Sequence, residues 1–272
     1  MTVKNILEVS NLSKTFGKGN HAVKAVKDVS FCIREGSTLG VLGESGSGKS
    51  TLGRCVLRLL EPDRGQVRFQ GEDITFLNSE ELRKRRKNMQ MIFQNPYGSL
   101  NSKMTIGENV MDPLVIWGVG DQASRRKEAK KLLDMVGIRS RSLDQYPHEF
   151  SGGQQQRICI ARALALKPKL IVCDEATSAL DVSVQAQVIN LLMNLQQEFK
   201  LTYIFISHNL GVVEYMSDEV LIMQNGRMKE LSTTEEIYKY PKNTYTRSLI
   251  EAVPRMPSES ELKRRYEASL LT

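Results

Sequence analysis

Residues 43–51 read Gly-Glu-Ser-Gly-Ser-Gly-Lys-Ser-Thr, and this stretch decides the fold. It fits the pattern GxxxxGK[ST]. The apolar run TLGVLG (38–43) leads into it with strand character, and STLGRCVLRLL (50–60) leaves it with a helical pattern. Strand, glycine-rich loop and helix in that order make a phosphate cradle. Across Gly43, Glu44, Ser45, Gly46, Ser47 and Gly48, backbone N–H groups can curl round phosphate oxygens at the positive end of a helix dipole. Lys49 supplies a point charge for the outer phosphates, and Ser50 offers its hydroxyl to Mg²⁺, with Thr51 next in the helix.

Working outward, the chain reads as an α/β protein. ILEVSNL (6–12) and VKAVKDVSFCI (23–33) alternate as strands of an N-terminal sheet, and GQVRFQGEDI (65–74) reads as a hairpin arm. MQMIFQ (89–94), KLIVCDEA (169–176) and LTYIFISH (201–208) are apolar runs in the style of buried parallel strands. Between 95 and 165 the character changes. NPYGSLN is turn-rich, and TIGENVMDPLVIWG, SRRKEAKKLLDMVGI and SGGQQQRICIARALALK carry helical patterns, the last with Ser151 as N-cap. The helix VSVQAQVINLLMNLQQEF places Val184, Val188, Leu191, Leu192, Leu195 and Phe199 on one face. DEVLIMQNGRMKEL (218–231) is a hairpin about Asn225-Gly226, and a helical, then charged, tail follows from about 233.

The second tier of chemistry lies at strand ends, where phosphate ligands bind in such sheets. Asp174 ends LIVCD and can reach the Mg²⁺ of the loop; Glu175 follows and can polarise an attacking water. His208 ends the next apolar strand and can contact a γ-phosphate, while the neutral amide of Gln94 can reach Mg²⁺ or the same water. One feature is left over: Ser151-Gly152-Gly153-Gln154, a second helix-opening glycine pair about a hundred residues beyond the first.

Composition narrows the setting. The chain has 272 residues, 40% apolar, with a net charge of +7 and a pI of 9.2. No apolar run reaches the ~20 residues of a membrane-spanning helix, and MTVKNILEVS lacks the layout of a signal peptide, so a cytosolic position is expected. The four cysteines (Cys32, Cys55, Cys159, Cys173) are scattered and read as buried small apolar residues. The basic runs RKRRK (83–87) and RRKEAKK (125–131) read first as solvated helix faces, with an acidic membrane surface or nucleic acid as the sharper alternatives. Aromatic residues do not interleave with them, which argues against nucleic acid.

The P-loop, the Asp-Glu strand end, the histidine after the next strand and SGGQQQR together resemble the ATP-binding cassette (ABC) family, from about residue 5 to 255. The resemblance implies a P-loop NTPase core with an N-terminal antiparallel β-subdomain (together 1–94), a helical subdomain (95–165), the rest of the core (166–232) and a C-terminal tail (233–272). It implies ATP and Mg²⁺ as cofactors. It also implies two cassettes arranged head to tail, each SGGQ serving the γ-phosphate on the other chain. Ser151, Gly152, Gly153 and Gln154 would then bind the partner's nucleotide, with Asp181 of SALD crossing the interface and Phe16 stacking on adenine. Gln94 matches the glutamine that joins core and helical insert, and Phe150 stands where leucine is commoner.

A narrower resemblance rests on FQNPYGSLN (93–101) and YPKNTYTRSLIEAVP (240–254), which look like the ATPase subunits of peptide and nickel importers. The short tail without a cysteine cluster resembles the second, shorter ATPase of such a pair. The implied partners are a second cassette ATPase, two transmembrane permease subunits and an extracellular substrate-binding protein, with no nucleic acid and a place on the cytoplasmic face of the membrane. The helical insert near 97–117 is then the expected membrane-subunit contact, with Trp117 either lining that groove or sitting in the core. A soluble, non-transport member of the superfamily acting on nucleic acid or the ribosome is the alternative, and an export ATPase would share the core motifs.

Overall fold

The computed structural model describes residues 4–252. Two sheets organise them. The first is antiparallel and built from β1 (Asn5–Phe16), β2 (Val23–Arg34), β4 (Arg64–Phe69) and β5 (Glu72–Asp73) in the order β2-β1-β4-β5. The second combines β3 (Thr38–Leu42), β6 (Met89–Ile92), β7 (Leu170–Asp174), β8 (Thr202–Ser207), β9 (Glu219–Gln224) and β10 (Arg227–Thr233) in the order β10-β9-β3-β8-β7-β6. Only the β10–β9 pair of this sheet is antiparallel. Every residue of β3, β7 and β8 is buried, which is why these segments read as unbroken apolar runs.

The helices are α1 (Lys49–Val56), α2 (Ser79–Arg86), α3 (Pro96–Ser99), α4 (Ile106–Ile116), α5 (Gln122–Met135), α6 (Gly152–Leu164), α7 (Val182–Phe199), α8 (Leu210–Met216), α9 (Thr234–Lys239) and α10 (Thr244–Glu251). Their starts follow local chemistry. Asn78, Thr105 and Ser151 each form a capping box with the residue three positions on, satisfying N–H groups that the first turn leaves free. Asp121, Asn209 and Asn243 cap with a side-chain oxygen alone.

Two apolar cores result. One packs β1, β2, α1 and β4 against one face of the larger sheet, including Leu39, Val41, Val172 and Ile206. The other packs α4, α5, α6 and α7 with residues of the opposite face, including Leu42, Cys173, Tyr203 and Phe205. Alternate residues of β3, β7 and β8 thus feed different cores, as the strand period requires. Among the described residues no helix is long and apolar enough to cross a membrane.

Several expectations need correction. The helix expected over 50–60 ends at Val56, because Arg58 turns to φ +53° and the chain must return to β4. Cys32 is exposed, on the outer face of β2 opposite Glu8, while the other three cysteines are buried. The run RKRRK is a solvated face at Arg83 and Lys84, but Arg86 turns inward. Arg86 donates to the Leu57 carbonyl (3.3 Å) and to that of Arg58, Arg83 donates to Ile116 (3.2 Å), Arg85 pairs with Glu72 and Lys84 with Glu80 (2.9 Å). Arg86 thereby holds the turn after α1, and Arg58 ties that turn to the Ile74 and Thr75 carbonyls. Of YPKNTYTRSLIEAVP, Val253 and Pro254 lie outside the described residues, as does the rest of the tail.

Candidate active site at the P-loop

The P-loop lies where the two sheets meet. Gly43 takes φ +155° and Gly48 φ +102°. A Cβ on Gly48 would stand 2.0 Å from the Ala25 carbonyl oxygen of β2, and one on Gly43 would stand 2.2 Å from the Met223 carbonyl oxygen of β9. The loop is therefore gripped by backbone from each sheet, and only glycine fits between them. The turn joining β9 and β10 adds a bridge. Gly226 donates its N–H to the Ser47 carbonyl (2.9 Å), and its own carbonyl accepts from the Lys27 N–H (2.7 Å). The sequence shows this hairpin through Asn225-Gly226, but not that its tip holds the P-loop.

A cleft of about 300 Å³ opens over the loop, lined by Ala25, Ser45, Gly46, Gly48, Lys49, Ser50, Thr51, Gln94 and Glu175. Gly43, Glu44 and Ser47 stand behind it: the Lys49 ammonium donates to the carbonyls of Gly43 and Glu44 (both 2.8 Å) and lies 3.5 Å from the Ser47 hydroxyl. Lys49 is buried, and burial holds its pKa below the ordinary lysine value against the opposing pull of Glu175, Asp174 and Glu44. A desolvated cation facing a cleft is suited to an anionic ligand.

Ser50 donates its hydroxyl to the Asp174 carboxylate at 2.6 Å. Asp174 is buried at the end of β7, with Arg54 at 3.7 Å, and burial raises its carboxyl pKa despite the hydrogen bond from Ser50 and the charge of Arg54. A hydroxyl and an under-compensated carboxylate side by side are hard oxygen donors, which fits Mg²⁺ rather than a soft metal. No cluster of three or more His, Cys, Asp or Glu with ligating geometry occurs among the described residues.

Glu175 adopts φ +49°, an uncommon backbone for a non-glycine residue, and its N–H donates to Ile206 of β8 (3.0 Å). This turns its carboxylate into the cleft. There it accepts from the Gln94 amide (3.0 Å) and lies 3.5 Å from His208 Nδ1. Gln94 also reaches the Ser178 hydroxyl (3.3 Å), which in turn donates to the Glu175 carbonyl (3.0 Å). Residues expected from two separate strand ends, Gln94 and His208, thus converge on the carboxylate of Glu175 at the end of a third.

The remaining expected residues are elsewhere. Phe16 is exposed at the end of β1, opposite Val23, with Lys14 Nζ 5.8 Å from its ring centroid; it does not line the cleft. Ser151, Gly152, Gly153 and Gln154 open α6 outside the cleft, with Ser151 and Gln154 occupied in their capping box. Asp181 precedes α7, also outside, without a side-chain capping bond. Gly153 is seated on α7, where a Cβ would stand 2.3 Å from Val184 Cγ1. Gln155, which sequence reading passed over, is buried and donates to the Pro147 (2.8 Å) and Phe150 (3.0 Å) carbonyls, fixing the approach to SGGQ. The signal available was its place on the inner face of an amphipathic helix. Trp117 caps the C-terminus of α4, partly buried against the core with Arg83 over its ring at 5.2 Å, beside exposed Val115 and Ile116.

Comparison with known proteins follows the same lines. Residues 26–178 match the ABC transporter family. The oligopeptide transport ATP-binding protein OppF of Streptococcus mutans is 49% identical over 253 residues, covering 92% of this chain and 82% of the relative. The di/tripeptide transport ATP-binding protein DppF of Pseudomonas aeruginosa is 42% identical over 271 residues, covering 99% and 84%. Among solved structures, the dimeric ATP-binding cassette MJ0796 bound to ADP and phosphate in a post-hydrolysis state aligns with a TM-score of 0.76 at 32% identity, covering 84% of this chain and 98% of that one.

Proposed function

The chain belongs to the ABC transporter family, and from that premise we propose that it hydrolyses ATP to power the import of peptides across a membrane. The observation that carries the chemistry is the convergence of Gln94 and His208 on the Glu175 carboxylate, over a cleft that also holds Lys49 and the Ser50–Asp174 pair. The peptide cargo rests on the relatives' names; nickel and metal chelates are the other cargoes of the same wider group.

In this reading the P-loop N–H groups and Lys49 bind the ATP phosphates. Ser50 and Asp174, with the Gln94 amide, would hold Mg²⁺, and the ion would supply charge neutralisation at the phosphates. Glu175 accepts the proton of the attacking water, and Gln94 and His208 orient that carboxylate. Phe16 packs on the adenine.

Ser151, Gly152, Gly153 and Gln154 serve the nucleotide of a second cassette, with Asp181 at the same interface. Their position outside the chain's own cleft supports this, as does their place at the N-terminus of α6, where the helix dipole favours an anion. ATP shared by two chains favours the closed pair, and hydrolysis releases it. The partners are a second, non-identical ATPase, two membrane-spanning subunits and an external binding protein, with this chain on the cytoplasmic face. Exposed Tyr97, Val115 and Ile116 give the helical region 95–165 an apolar surface for a membrane subunit.

The test is co-purification of the tagged chain from gently solubilised membranes, followed by peptide uptake in cells carrying Ser151→Arg. Recovery of two multi-spanning proteins and a second cassette is expected, with uptake abolished although the variant still binds ATP. Recovery of ribosomes or nucleic-acid-binding proteins without a membrane partner would overturn the transport reading. Normal turnover at the site facing the altered SGGQ would overturn the shared-site reading.

A further inference from the structure

A second cleft, of about 390 Å³, lies behind the nucleotide cleft. The two share strand β2. Ala25 lines the nucleotide cleft while its neighbours Lys24 and Val26 line the other, as alternate residues of one strand must. Four cations, Lys24, Lys27, Arg64 and Arg227, line the second cleft, and none forms an ion pair among the described residues. Two carboxylates share the lining, so the four cations outnumber them by two. Asp63 accepts from the Lys14 ammonium (3.0 Å) and the Thr15 N–H (2.6 Å), and Asp28 accepts from the Ser13 hydroxyl (3.1 Å).

Like charges gathered in a concavity focus a positive field and raise the local concentration of anions. Arginine adds a planar donor fork matched to phosphate oxygens. The volume falls in the range of small-molecule sites, not of a flat macromolecular contact. The cleft is also wired to the P-loop. Arg227 follows Gly226, whose N–H is bonded to Ser47 and whose carbonyl is bonded to the Lys27 N–H. Movement of either cation is therefore passed to the loop through one residue.

We propose that this cleft binds a small anion carrying two or more phosphoryl groups, and that its occupancy changes ATP affinity through the Gly226 turn. The two ligands are then linked reciprocally: whatever factor the anion imposes on ATP, ATP imposes on the anion. The inference rests on the ATP-binding reading above, so the test reads ATP binding separately.

The probe is inorganic tripolyphosphate, titrated into the full-length chain by calorimetry. The chain carries Glu175→Gln with its nucleotide cleft saturated by ATP at fixed free Mg²⁺, so that further binding is outside that cleft. One saturable site is expected. Lys24→Gln/Arg227→Gln should weaken it at least about tenfold, since each charge-assisted contact of this kind is worth about that factor. The charge-matched pair Lys130→Gln/Lys131→Gln, exposed on α5, should not. ATP dissociation from the Glu175→Gln chain should shift with tripolyphosphate and lose that shift in the cleft variant. Absence of a saturable site in the ATP-filled chain, or equal weakening by the α5 variant, would overturn the proposal. Failure to bind ATP at all would instead overturn the ATPase reading on which the test is built.

Discussion

Replacing Gly48 by alanine tests whether the P-loop is set by the backbone on either side of it. A Cβ there would lie 2.0 Å from the Ala25 carbonyl oxygen, whereas real Cβ contacts stay beyond 3.0 Å, so loop and β2 must part by about 1 Å. Overpacking of this kind costs about 1–3 kcal/mol. The positive φ adds about 1–2 kcal/mol, for a total of about 2–5 kcal/mol. Gly46 is the internal control. Its φ is +77°, but a Cβ there meets nothing within 4 Å, so alanine incurs only the backbone term. Thermal unfolding without nucleotide reads the difference. At about 2–4 °C per kcal/mol, Gly48→Ala should lower Tm by roughly 4–20 °C and Gly46→Ala by roughly 2–8 °C. A displaced cradle should also cost Gly48→Ala about 10²-fold in kcat/KM. Equal melting shifts in the two variants would refute the claim that contact with Ala25, and not backbone conformation alone, seats the loop.

Glu175→Gln keeps the size of the side chain and an oxygen able to accept from Gln94, but loses the base. Turnover should fall by about 10²–10⁴-fold with ATP affinity retained; phosphate release and equilibrium binding check both, and normal turnover contradicts the role given to Glu175. Asp174 has its pKa raised by burial, so its protonated form favours the fold, and that contribution is lost as pH rises through the folded value. Asp174→Asn should accordingly raise the nucleotide-free Tm at neutral pH and flatten its fall with pH, while weakening Mg²⁺-dependent retention of ATP; an unchanged melting profile would contradict the charge argument. Cys32 is exposed, whereas burial pushes the thiols of Cys55 and Cys159 up to about 11 and that of Cys173 further. A maleimide should label one cysteine in the native chain and all four after denaturation, as mass spectrometry would count.

The nucleotide site was legible because its chemistry is local. A glycine-rich loop between strand and helix, and an Asp-Glu pair ending an apolar run, are written in consecutive residues. The larger sheet was legible for the same reason: fully buried strands leave unbroken apolar runs. What escaped depends on residues far apart in the chain. Arg86 lies in a charge run that reads as solvent-facing, yet it holds carbonyls at 57 and 58. Cys32 sits in an alternating strand whose outward face cannot be told from its inward face without the partner strand. For Gln155 and Gly226 the sequence shows only the element, an amphipathic helix and an Asn-Gly turn; what each holds is fixed by the distant loops they meet.

These contacts give the site a definite construction. The P-loop belongs by sequence to the larger sheet, at the end of β3, but its shape is set from both sides: by Ala25 of the antiparallel sheet, and by Met223 and Gly226 at the far end of β9. Glu175 and Asp174 come from β7, and His208 from β8, so their spacing is set by parallel register, with Asp174 opposite Ile206. Gln94 is the member with a different allegiance. It follows β6 but leads directly into α3 and the helices that carry SGGQ, and it reaches Glu175 from that side. Displacement of the helical region would therefore act on the carboxylate through Gln94 while the P-loop, gripped by two sheets, stays in place. On the proposed reading, binding of ATP by the P-loop and the action of Glu175 as base are therefore separable, so that membrane partners docking on the helical region would govern hydrolysis without governing nucleotide binding.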